Sequence, residues 1–122
     1  MKYFFDSYAL VEVIRADPHY AEFMEEPVIT SATNLAEALY YALRTGQEKA
    51  YETAMQRLNP DLLDTNRRDW ENAARIKFEY REKKLSLVDG LGYVLAEKNR
   101  LQFLTGDRQF EKMQNVKWVP TK

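Results

Sequence analysis

Four acids stand where residue type and position bear on chemistry. Asp6 ends the apolar run Tyr3-Phe4-Phe5, and Asp107 ends the run Leu101-Gln102-Phe103-Leu104-Thr105-Gly106. Glu37 and Asp89 fall within the first two turns of helix-like segments that start at Ser31 and Ser86. Carboxylates packed closely repel one another, so a cluster of them requires protons or a cation. The chain has no cysteine and a single histidine, His19, which argues against a zinc site. The ligands would be hard oxygens, which suit Mg²⁺ or Mn²⁺. Such ions lower the pKa of a bound water and neutralise charge on a phosphoryl group in transit, and the chemistry that uses both is phosphodiester hydrolysis.

Elements that bring these acids together are legible in the hydrophobic pattern. Short apolar runs over Lys2–Phe5, Pro27–Thr30, Leu101–Leu104 and Val116–Val119 predict strands, with a weaker one over Leu62–Asp64. Helical spacing is predicted over Ser7–Ala16, His19–Glu25, Ser31–Arg44, Gln47–Leu58, Asn66 to about Lys83, Ser86–Asn99 and Arg108–Met113. In Ser31–Arg44 the inward stripe is read as Leu35, Ala38, Leu39, Ala42 and Leu43. Strands alternating with helices are the pattern of a parallel sheet, here of about four to five strands, covered by helices on both faces. Sites in such sheets form beyond the carboxyl ends of the strands. Asp6 and Asp107 are predicted at that rim, and Glu37 and Asp89 can point to it.

At 122 residues and 45% hydrophobic content the chain suits one domain, residues 1–122, with a real core. Its net charge of −1, from 18 basic and 19 acidic residues, places any nucleic-acid contact in a local patch. The absence of cysteine excludes a disulfide framework and fits the cytoplasm. No apolar stretch is long enough to span a bilayer and no signal-peptide pattern is visible, so no membrane association is expected.

Taken singly, each acid also has a structural reading. Asp6 and Asp107 can be helix N-caps, and Ser86-x-x-Asp89 is a capping box with Asp in place of Glu. Glu37 lies nearly opposite the Leu35/Leu39/Leu43 stripe, so as a ligand its face, shared with Asn34 and Tyr41, must form the cleft wall. The basic residues from Arg67 to Lys84 alternate with Asp69, Glu71, Glu79 and Glu82, which reads as a solvated, salt-bridged helix face. Lys83, Lys84 and Arg108 lie close in sequence to the acids and are the candidate phosphate contacts.

Four pieces in order, Phe4-Phe5-Asp6-Ser7, Asn34-Leu35-Ala36-Glu37-Ala38, Ser86-Leu87-Val88-Asp89 and Leu104-Thr105-Gly106-Asp107-Arg108, resemble the PIN-domain nuclease family, particularly the small VapC-type toxins. The resemblance spans almost the whole chain. It implies a three-layer α/β/α, Rossmann-like fold and Mg²⁺- or Mn²⁺-dependent endoribonuclease activity. It assigns the acidic, metal-binding role to Asp6, Glu37, Asp89 and Asp107, and a supporting role to the hydroxyls of Ser7 and Thr105. A toxin of this kind implies an RNA substrate, a cognate antitoxin that blocks the cleft, and a homodimer. Two departures stand out: Gln109 replaces a further acid, and Gly90 and Gly92 stand where small alanines often follow the third acid.

Rival chemistries on a similar sheet fare worse. A haloacid-dehalogenase-like phosphatase wants an acid two residues past the nucleophile, where this chain has Tyr8. A receiver domain wants paired acids at the first strand end, and Phe5-Asp6 lacks the pair. The remaining alternative is a non-catalytic PIN-like module that binds RNA or protein.

Overall fold

The computed structural model describes residues 2–121. Five parallel strands form one sheet: β1 (Tyr3–Phe5), β2 (Ile29–Thr30), β3 (Asp61–Leu62), β4 (Gln102–Thr105) and β5 (Val116–Trp118), in the order β3-β2-β1-β4-β5. The helices are α1 (Ser7–Ile14), α2 (Ala32–Arg44), α3 (Glu48–Leu58), α4 (Arg67–Glu79) and α5 (Leu87–Lys98). Two 3-10 helices, Pro18–Glu25 and Arg108–Phe110, complete the described elements.

Side chains alternate across a strand, so the central pair β1 and β4 feeds two cores. Phe4 and Phe103 point to one face, where Ala73 of α4 and Leu91, Tyr93, Leu95 and Ala96 of α5 cover them. Phe5 and Leu104 point to the other, beneath Ala9, Leu10 and Val13 of α1, Ala38 of α2 and Ala54 of α3. The result is the expected α/β/α layering. Register is direct: Tyr3, Phe4 and Phe5 pair with Gln102, Phe103 and Leu104.

The chain leaves β1 toward β2 and β3 on one side, and returns to β1's other side as β4. That reversal opens a crevice between the carboxyl ends of β1 and β4. Asp6 follows one of these ends and Asp107 the other.

Several boundaries differ from the sequence reading, each for a local reason. β3 is Asp61–Leu62, with both residues exposed, as suits an edge strand. α4 stops at Glu79, and the chain turns before Lys83. Asp69 is not part of a solvated face: it is 2% exposed, closes a capping box on Asn66 and pairs with Lys98 at 3.0 Å. On α2 the buried positions are Asn34, Ala38 and Ala42, while Leu43 is 51% exposed. Asn34 is drawn inward by hydrogen bonds to Ser31 and Ser7, and this sets the face.

Gly90 explains one departure from the family pattern. A Cβ there would lie 2.7 Å from the Ala73 carbonyl oxygen, so the close approach of α5 to α4 requires glycine. A Cβ on Gly92 would sit 3.0 Å from both the Phe4 and Phe103 rings, a much milder crowding.

Candidate active site at the sheet's carboxyl rim

Asp6 occupies the N-cap position of α1, yet its side chain makes no capping bond. It accepts instead from Thr105 Oγ1 at 2.7 Å, across the β1–β4 crevice. Its other oxygen, Oδ1, is buried and has no hydrogen-bond partner. An unpaired buried carboxylate oxygen is costly. Burial raises the Asp6 pKa from the ordinary 3.8 to about 7. The neighbouring Asp89 and Asp107 push the same way, while the Thr105 hydroxyl and Ser7 amide pull it back.

Asp89 is the third residue of α5 and completes the capping box: the Ser86 amide donates to its Oδ2 at 2.8 Å, and its own amide donates to Ser86 Oγ at 3.0 Å. The capping reading is therefore correct, and it uses only one carboxylate oxygen. Burial raises the Asp89 pKa, with Asp107 and Glu37 adding to the rise against the Ser86 hydrogen bonds.

Asp107 caps the 3-10 helix through Oδ1, which accepts from the Gln109 amide at 2.9 Å. Its own amide donates to Thr105 Oγ1 at 3.1 Å. Thr105 thus ties the first and last acids together. Gly106 allows this turn: a Cβ there would collide with the Tyr8 ring and lie 2.6 Å from the Val119 carbonyl oxygen.

Glu37 stands on the cleft face of α2, as a ligand role required. Ser7 Oγ donates to its Oε1 at 2.6 Å, and Asn34 Nδ2 donates to Ser7 Oγ at 2.8 Å. The chain Ser31–Asn34–Ser7–Glu37 is a relay of oriented hydrogen bonds linking α2 to the start of α1.

Asp6, Glu37, Asp89 and Asp107 all line one cleft of about 370 Å³. Among the described residues, no three His, Cys, Asp or Glu side chains form a ready metal cage. The donor set nevertheless fits a hard divalent cation. It is all oxygen, and the orphaned Asp6 Oδ1 is the kind of buried acceptor that a cation would satisfy.

The candidate phosphate contacts lie outside this cleft. Arg108 lines an adjoining hollow that shares Tyr8 and Asp107 with it. Lys83 lines a separate hollow with Phe78 and Leu87. The Lys84 amide donates to Gln109 Oε1 at 3.2 Å, which ties that loop to the Asp107 turn.

Four lining residues escaped the sequence reading, Tyr8, Val11, Glu12 and Arg15, while Tyr41 stands on the cleft wall beside Glu37 as expected. Their signal was present. Ser7, Val11 and Arg15 recur every four residues from the start of α1 to its C-cap, Tyr8 and Glu12 do so beside them, and Glu37 and Tyr41 do so on α2, so each set shares a face.

No curated protein matches the chain. Among solved structures, a chain of a toxin–antitoxin complex from Klebsiella pneumoniae is similar in fold, with a TM-score of 0.80 at 18% identity, over 99% of this chain and 100% of that one. The Sarcin-Ricin loop cleaving toxin VapC20 from Mycobacterium tuberculosis is similar with a TM-score of 0.78 at 21% identity, over 98% and 100%. The PIN domain model matches residues 3–116, nearly the entire sequence. On that match, the chain belongs to the PIN domain family.

Proposed function

We propose that this protein is a Mg²⁺- or Mn²⁺-dependent endoribonuclease, the toxin of a toxin–antitoxin pair, acting in the cytoplasm as a homodimer. The observation that carries the reading is Asp6: buried, fixed by Thr105 through one oxygen, with the other oxygen unsatisfied. A structural cap would have used that carboxylate on the helix amides. Membership of the PIN family and likeness in fold to a toxin and to a chain of a toxin–antitoxin complex support the same reading.

Asp6, Asp89, Asp107 and Glu37 would hold the cation. When bound, it supplies an activated water and neutralises charge on the phosphoryl group. Ser7 aims Glu37, and Thr105 fixes both Asp6 and the Asp107 turn; such supporting bonds orient ligands. Arg108, Lys83 and Lys84 would meet RNA phosphates as the strand leaves the cleft. A cognate antitoxin would block the cleft.

One observation favours the alternative, a non-catalytic RNA- or protein-binding module: the acids line a cleft without forming a ready cage. Incubation with a mixed RNA pool in Mg²⁺, Mn²⁺ and EDTA, with Asp6→Asn alongside, separates the two. Metal-dependent cleavage lost in the variant is expected. Cleavage that persists in EDTA, or none in any metal by folded protein free of antitoxin, overturns the nuclease reading.

A further inference from the structure

The cleft is chemically uneven. Asp6, Glu37, Asp89 and Asp107 gather at the sheet rim, beside the start of α1. Away from them the groove continues between α1 and α2, and its walls change character to Val11 and Arg15 on one side and Tyr41 on the other. From Ser7 to Arg15 is eight residues, or about 12 Å at the helical rise. Arg15 is the cation among the residues lining this acidic cleft. Its Nη1 lies 3.5 Å from Oε2 of Glu12, which is itself 7% exposed in its side chain and also lines the cleft. The buried acid holds the guanidinium at the groove while leaving it 46% exposed. Tyr41 is half-buried, and the Arg44 guanidinium lies 5.6 Å from its ring centroid.

We propose that this α1–α2 groove is a subsite for the RNA nucleotide adjoining the scissile phosphate, with Tyr41 stacking its base and Arg15 pairing with its phosphate. The inference rests on the nuclease reading for its scissile phosphate. Charge carries it: an RNA strand entering a cleft lined by five acids meets repulsion unless a cation receives a neighbouring phosphate, and Arg15, still 46% exposed beside its partner Glu12, is placed to do so. Aromatic side chains beside such cations are a general means of holding single-stranded nucleic acid without reading its sequence. Glu12 is a positioning residue that holds Arg15 toward the groove.

The test measures binding and cleavage separately. Binding of a fluorescently labelled oligouridylate is followed by anisotropy in Mg²⁺, with all proteins carrying Asp6→Asn so that the RNA stays intact. Tyr41→Ala is expected to weaken binding about tenfold, with Tyr41→Phe restoring it, since the ring and not the hydroxyl stacks. Arg15→Gln is expected to weaken binding and flatten the salt dependence by about 0.7 in log–log slope, one phosphate's share on a single strand, with Arg15→Lys keeping most of that slope. In the otherwise native protein the same variants are expected to raise KM for RNA more than they lower kcat. A merely structural Arg15–Glu12 pair would shift melting and leave the salt slope alone. Binding unchanged by Tyr41→Ala and Arg15→Gln overturns the subsite, assigns the groove to a protein partner, and leaves the nuclease reading intact. Weakened binding with no cleavage by the native protein overturns the nuclease reading and keeps the nucleotide site. No RNA binding by the Asp6→Asn parent overturns the subsite outright.

Discussion

Thr105 donates to Asp6 at 2.7 Å although 99 residues separate them in sequence. The same hydroxyl oxygen accepts from the Asp107 amide. One threonine at the end of β4 therefore sets the position of two acids on two strands. Thr105→Val removes both bonds at nearly constant volume. Leaving buried polar groups unpaired costs about 1–3 kcal/mol, so melting should fall accordingly. The lost hydroxyl also stops lowering the Asp6 pKa, so the acid limb of a cleavage–pH profile should move to higher pH. Thr105→Ser should restore most of both, and an unmoved acid limb would count against the role given to Thr105.

Asp6 gives a stability prediction with a definite sign. Its pKa is about 7 when folded, against 3.8 ordinarily, so the folded state holds the proton more tightly. The contribution is nil below about pH 4, where both states are protonated. It becomes a growing penalty as pH rises toward 7, at roughly 1.4 kcal/mol per unit, and stays constant above. In EDTA, Asp6→Asn should therefore melt higher than the native chain at pH 8, with the gap closing toward pH 4. Mg²⁺ or Mn²⁺ should raise the native melting temperature and leave the variant unmoved. A native chain that melts as high as Asp6→Asn at pH 8 in EDTA would contradict the buried, unsatisfied carboxylate.

Asp89 serves a cap and, by proposal, a metal, and the two roles are separable. The amide oxygen of Asp89→Asn can still accept from the Ser86 amide, so melting should stay within about 1 kcal/mol, the scale of a capping interaction. Cleavage should nonetheless be lost with the negative charge. Ser86→Ala should do the reverse, lowering stability by about 1 kcal/mol with activity largely kept. Melting curves and cleavage rates on the two variants decide it.

Ser7→Ala should free Glu37 and strand the amide of the fully buried Asn34. Supporting bonds of this kind change metal affinity by about 10–100-fold. The metal concentration giving half-maximal cleavage should rise accordingly, and an unchanged metal titration would show that the Ser7–Glu37 bond orients nothing.

Gly90→Ala forces a methyl against the Ala73 carbonyl. Overpacking of this sort costs about 1–3 kcal/mol, which a melting curve would register. Gly92→Ala meets only ring edges and should cost less.

The strands and acids were legible in sequence because both rest on local signals. Apolar runs ending in Asp6 and Asp107 marked strand ends, and Ser86-x-x-Asp89 announced its own cap. Glu37 was placed near the rim by its position early in a helix, but its ligand role rested on the family pattern, since its helix face looks solvated in isolation. The leucine periodicity of α2 misplaced the buried face because it weighs Leu43 above Asn34. An asparagine satisfied by two serines across 3 and 27 residues leaves no hydrophobic trace. Burial of Asp69 was missed for the same reason, as its partner Lys98 lies 29 residues away on α5. Tyr41 was expected on the cleft wall only as a neighbour of Glu37, and Arg15 was missed because a groove between two helices is a tertiary property, invisible until both faces are aligned.

The pairing of β1 with β4 has a consequence for a ribosome making this chain. Asp6 emerges 99 residues ahead of Thr105, which ends its partner strand, and Asp107 follows later still. Until then Phe4 and Phe5 lack Phe103 and Leu104 beside them, and both cores remain open. A chain interrupted before β4 has neither a closed fold nor an assembled acid cluster. For a chain of the kind proposed, the hazard thus begins only once β4 has emerged to pair with β1.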